Sequence, residues 1–145
     1  MTRARDVANV PTNFPVGAWT SFTPTLGNLT VGSGGSITGA YIQLGKTVHF
    51  RIRAVMGTSP TVGAVNFTLP ITMKDSTIMN ASVFFVDFGS GFPLAMCDLI
   101  KSGVHYLYAV NASGTWAGAG YLGSTTPITW AVNDEIQIAG TYEAA

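Results

Sequence analysis

The sequence predicts an all-β fold: an antiparallel β-sandwich, jelly-roll-like, preceded by an extended N-terminal arm. Three observations predict it. Side chains from Trp19 onward alternate with a period of two, most clearly over Lys46–Met56. Clusters of Gly, Ser, Thr, Pro and Asn separate the alternating runs at short intervals, as in Gly32–Gly35, Gly57–Pro60, Gly89–Gly91 and Ser124–Pro127. No stretch of ten residues carries a capped 3.6-residue apolar pattern. Many short strands with such turns form sandwiches or jelly rolls.

Residues 1–17 differ from the rest. Arg3, Arg5 and Asp6 are charged, and Pro11, Pro15 and Gly17 break regular structure. The segment has no core of its own, so something must tie it down: either a strand added to the domain's own sheet or a docking site on another protein. The segment is expected to be a docking arm whose contacts are Arg3, Arg5, Asp6, Val7, Val10 and Phe14, followed by one β-sandwich domain over residues 18–145.

In the body, Ser36–Leu44 and Lys46–Met56 read as two strands joined at Gly45-Lys46, where glycine supplies the positive φ of a tight turn. In the second strand Val48, Phe50, Ile52, Ala54 and Met56 take one face, and His49, Arg51 and Arg53 the other. Val65, Phe67 and Leu69 alternate up to Pro70, which ends their strand. Ala81–Phe88 is nearly all apolar and reads as a strand buried on both faces. Phe92–Ile100, Val104–Val110 and Glu135–Tyr142 complete the set, the last with Ile136, Ile138 and Gly140 on one face, continued by Tyr142. Trp19 and Trp130, flanked by strand-like residues, are expected in the core or at its edge.

Composition narrows the function. The chain has 145 residues, enough for one domain, with 47% apolar and only 10% charged side chains. Seven Lys and Arg balance seven Asp and Glu, which argues against nucleic acid or anionic membranes as partners. Mean hydropathy is +0.34, yet the longest purely apolar run, Tyr106–Val110, is five residues, far short of the roughly 20 of a membrane helix. The opening residues are too short and too polar for a signal peptide. High hydropathy without a membrane segment points to a large β core, with the outer surface covered by further subunits.

Little in the sequence speaks for catalysis or cofactors. Cys97 stands alone, and with two histidines there is no ligand set for a metal. Asp134 and Glu135 are adjacent, so on a strand they point apart and form no acid pair. Ten serines are present, but no Gly-x-Ser-x-Gly elbow. Gly118, Gly120 and Gly123 have dinucleotide-loop spacing but no helix after them. His49, Arg51 and Arg53 fit either a small anion or sugar-acid site or a solvated or subunit-facing surface. His105 reads as a surface or hydrogen-bonded histidine. The sequons at Asn28, Asn66, Asn80 and Asn111 matter only in a secretory context. The uncharged stretch Asn111–Pro127 presents Trp116 and Tyr121, aromatic rings suited to sugar stacking or a protein partner, or else folded into the core or a subunit interface.

Several segments together carry a resemblance. They are Arg3–Asn9, Trp19–Leu26, Gly39–Phe50, Phe67–Pro70 and the closing Trp130–Glu143. This string resembles the virion-surface β-domains of tailed bacteriophages, found at tail-fibre and receptor-binding ends and in related small surface proteins. The resemblance implies a β-sandwich or jelly roll, often a homotrimer, without enzyme activity or cofactor. Only a short arm precedes the body, where tail fibres carry a long shaft. That departure from the tail-fibre pattern points to a capsid-decorating protein on the outer virion surface, pinned to other virion proteins by residues 1–17. The alternative is a tail-fibre or tail-tip module recognising host surface glycan.

Overall fold

The computed structural model describes residues 17–75, 79–89, 92–101, 104–111 and 118–145. The proposed arm contacts Arg3, Arg5, Asp6, Val7, Val10 and Phe14 lie outside the described residues, as does Trp116. The described residues form strands and turns, with no helix among them. The strands are β1 (Thr20–Phe22), β2 (Leu26–Thr30), β3 (Ser36–Leu44), β4 (Thr47–Val55), β5 (Thr61–Phe67), β6 (Met79–Asp87), β7 (Phe92–Lys101), β8 (Val104–Asn111), β9 (Gly118–Tyr121) and β10 (Glu135–Glu143).

Every pairing is antiparallel. The ladder runs β1-β3-β4-β10-β6-β7-β8-β5-β2, and β9 pairs with β8. β1 and β2 end the ladder and do not pair with each other, so it is not closed into a barrel. Instead it forms two layers facing each other. Phe50 of β4 meets Phe67 of β5 at a ring-centroid distance of 6.0 Å, although these strands lie far apart along the ladder. The last strand, β10, fills the slot between β4 and β6.

Alternation explains this packing. Val48, Phe50, Ile52, Ala54 and Met56 are buried, as their period predicts, and Ile136, Ile138 and Tyr142 of β10 join them. Each large side chain so buried contributes about 1.5–3 kcal/mol of transfer free energy. Tyr142 keeps its hydroxyl satisfied inside: it donates to the Ile71 carbonyl at 2.8 Å and accepts from the Ile71 N–H at 3.1 Å. Burial pushes its pKa above the ordinary tyrosine value. The β3–β4 hairpin turns at Gly45, φ 60°, as expected. Trp130 is buried, stands edge-on to Phe85 and donates from Nε1 to the Gly123 carbonyl at 2.9 Å.

Three expectations change. In β6, Val83 and Phe85 are buried while Ser82 and Phe84 are exposed, so this strand is buried on one face only. Its apolar run had suggested two buried faces. The reason is that the outer side of its layer stays uncovered by any other part of the described chain. Trp19 is 47% exposed rather than a core residue, because it precedes the edge strand β1 and its ring lies on that outer side. The stretch Asn111–Pro127 holds a strand, β9, whose Gly118–Tyr121 backbone completes the edge of β8.

Candidate functional site

The outer face of β1, β3, β4, β10 and β6 carries a developed surface feature. Alternation turns His49, Arg51 and Arg53 outward on β4, as the sequence predicts. The register then aligns neighbours beside them. One rung across the sheet reads Ser21, Ala40, Arg51, Ala139 and Ser82. The next reads Thr38, Arg53, Gln137 and Phe84. On the other side lie Ile42, His49 and Thr141. Arg51 is thus the one long side chain in a row of small ones, and taller residues stand on both flanks. The result is a trough made of two adjoining depressions of about 610 and 530 Å3, which share Ala139. Ser21, Arg51, Arg53, Phe84 and Gln137 line the first, and Trp19, His49 and Thr141 the second.

The charges in the trough are not equivalent. Arg53 makes a two-point pair with Glu135: Nε donates to Oε2 at 2.8 Å and Nη2 to Oε1. Gln137 Nε2 also donates to Glu135 Oε2 at 2.8 Å. These donors, with Arg53 first, hold the Glu135 carboxyl below its usual range, and Glu135 in turn raises the Arg53 guanidinium above its own. His49 Nδ1 and the Thr141 hydroxyl are hydrogen-bonded at 2.8 Å. Arg51 has a different partner. Its guanidinium carbon lies 4.6 Å from the centroid of the Trp19 ring, a cation–π contact. No carboxylate lines either depression among the described residues.

The other acids whose side chains are described are engaged elsewhere. Asp134 is buried and accepts backbone N–H groups from Phe88 and Ala131. Glu143 pairs with Lys74 at 2.9 Å. Asp87 accepts from the Gly89 N–H, and Asp75 also has a partner. Asp134 and Glu135 are therefore a turn anchor and an ion-pair partner. Among the described residues, no cluster of His, Cys, Asp and Glu is placed to hold a metal.

A second outer surface lies on β8 and β9. Tyr121 is 39% exposed, and its ring centroid is 4.6 Å from Tyr108 and 5.4 Å from Tyr106. Tyr121 therefore belongs to an outward aromatic group and not to the core. A hydrogen bond with Tyr121, together with desolvation, pushes the Tyr108 hydroxyl up to about 12. His105 points to the opposite side of β8, where it is buried 5.1 Å from the Phe67 ring centroid.

Comparison with known protein families, curated proteins and solved structures finds no match to this chain. The trough itself was only half legible in the sequence. Period two gave the Arg row, but Trp19 and Phe84 reach it through sheet register, which no local pattern reports.

Proposed function

We propose that this chain is a non-enzymatic structural protein on the outer surface of a tailed bacteriophage virion. Its body is a jelly-roll-like sandwich that associates as a homotrimer, and residues 1–17 fasten it to capsid or tail proteins. The resemblance of the five segments named above supplies the virion setting. The observation that carries the reading is the surface of the body. Large apolar side chains stand exposed outside the trough, Phe88 just beyond β6, Val132 in the turn before β10, and Val104 and Tyr121 on β8 and β9. The described carboxylates are committed to ion pairs and turns rather than to a catalytic groove. Such a surface suits close neighbours in a symmetric assembly.

The test is incorporation into particles. Deleting residues 1–17 should leave a folded β-domain, seen by circular dichroism, that no longer copurifies with virions. Normal incorporation of the truncated chain would sink the docking-arm role. Copy number separates shell from tail: hundreds per particle mean decoration, a handful mean a tail module. The tail reading, in which the body recognises host glycan, is favoured by one observation, the trough holding Arg51 between Trp19 and Phe84.

A further inference from the structure

Arg51 is exposed, and within the trough it meets an aromatic ring and no carboxylate. A cation on a mostly small-residue floor attracts an anion, and the source of that anion can be narrowed. The acids whose side chains are described are already partnered: Glu135 by Arg53, Glu143 by Lys74, Asp134 and Asp87 by backbone N–H groups, and Asp75 as well. The described side-chain carboxylates of a second copy are thus already engaged, and an anionic ligand would answer Arg51.

The walls describe the rest of that ligand. Phe84 is 44% exposed and offers an apolar plane. Ser21, Thr38, Gln137 and Thr141 offer hydroxyl and amide groups around it. Sugars match this mixture, because a pyranose has an apolar C–H face and a rim of hydroxyls, and aromatic planes stack on that face. The spacing adds a length. β6 lies two strands from β4 across β10, which at usual strand spacing is about 10 Å. One sugar ring does not span from Arg51 to Phe84, but two linked rings do. The larger depression, about 610 Å3, is within the range of small-ligand sites, roughly 300–1,000 Å3.

We propose that the trough is a binding site for an acidic oligosaccharide, with a sugar carboxylate on the Arg51 guanidinium and a neighbouring ring stacked on Phe84. Trp19 holds the guanidinium in position. Arg53 takes no part in charge recognition, because Glu135 occupies its fork. This deepens the glycan-recognition reading and rests on it for biological setting only. Binding can fail with the virion location intact, and the reverse.

The experiment is calorimetric titration of the full chain with trigalacturonate and with α2,8-linked disialic acid, each against its methyl ester. Binding of at least one acid is expected, with roughly tenfold or greater loss on esterification, the scale of a charge-assisted hydrogen bond. Arg51→Gln should lose the same factor and Arg51→Lys part of it. Phe84→Ala should weaken acid and ester alike. Thermal melting of each variant verifies the fold, and since both side chains are exposed, it should be unchanged. Absence of binding by both acids, equal binding of ester and acid, or full retention in Arg51→Gln overturns the proposal. Self-association that buries this face and blocks titration overturns it too.

Discussion

The carboxylate of Asp134 accepts the backbone N–H of Phe88 at 3.0 Å, joining the turn before β10 to the end of β6. Its other oxygen accepts the N–H of Ala131 at 2.7 Å. Around it, the Met56 N–H donates to the Asp134 carbonyl and the Asn133 N–H to the Met56 carbonyl, both at 2.8 Å. The buried side chain therefore ties the turn before β10 to the end of β6, while backbone bonds tie the same turn to the end of β4. An amide there has one oxygen and would set an N–H against an N–H. Asp134→Asn should cost about 1–3 kcal/mol, the scale of one buried polar group left unpaired. Urea unfolding of both proteins measures it, and an unchanged midpoint would show that the turn is held by its backbone alone.

Glu135 gives the body a pH dependence of known sign. Its carboxyl lies below the ordinary value of 4.5 in the folded chain, chiefly because Arg53 and then Gln137 donate to it. A depressed acid adds stability that is fully present above its unfolded pKa and is lost as pH falls through the folded value. Glu135→Gln should therefore be less stable than the parent at pH 7, by at most about 1 kcal/mol for a pair with an exposed arginine. Below the folded pKa of Glu135 the ion-pair part of that gap should close. Denaturant midpoints at pH 7 and pH 3 give the comparison; a gap that widens in acid would refute the assignment.

Much of this body is legible from residues a short distance apart. β4 reads directly because five apolar side chains alternate without interruption. β10 reads for the same reason, but its place between β4 and β6 does not, since strand order is set by long-range pairing. β2 is obscured by Asn28, at φ 57°, where the register with β5 shifts between Gly27 and Leu29. β9 is hidden because Gly118–Tyr121 is mostly glycine and alanine, a composition of turns, and is extended by pairing with β8. Phe84 misled because Val83–Val86 is continuous in apolar character, while the outer side it shares with Gln137 of β10 stays open.

Two glycines in the same region should respond differently to alanine. A Cβ on Gly57 would lie 2.2 Å from the Ser33 carbonyl oxygen and 2.4 Å from the Gly35 nitrogen, both backbone atoms. The Gly57 N–H also donates to the Val31 carbonyl at 2.7 Å. Neither neighbour can rotate away, so Gly57→Ala should cost about 1–3 kcal/mol or more through forced backbone displacement. Gly34 has φ 78°, and a methyl group there would meet nothing within 4 Å. Gly34→Ala should cost only the left-handed backbone penalty, about 1–2 kcal/mol. Paired melts that ranked Gly34→Ala as the worse change would reverse this account of the β2–β3 turn.

Tyr108 and Tyr121 supply a spectroscopic check on the second outer face. Their ring centroids are 4.6 Å apart. The Tyr108 hydroxyl is pushed up to about 12, first by its hydrogen bond with Tyr121, then by desolvation and by the neighbouring charges of Tyr121 and Tyr106. An alkaline titration followed by tyrosinate absorbance should therefore show one tyrosine ionising well after an ordinary phenol, which does so near pH 10. Tyr121→Phe removes both the hydrogen bond and the repelling charge while keeping the stacked ring, so it should bring that late step down toward the ordinary value. Circular dichroism at each pH verifies that the sheet remains folded through the titration. If the late step survives Tyr121→Phe unchanged, the pairing of these two side chains is not what holds the Tyr108 proton.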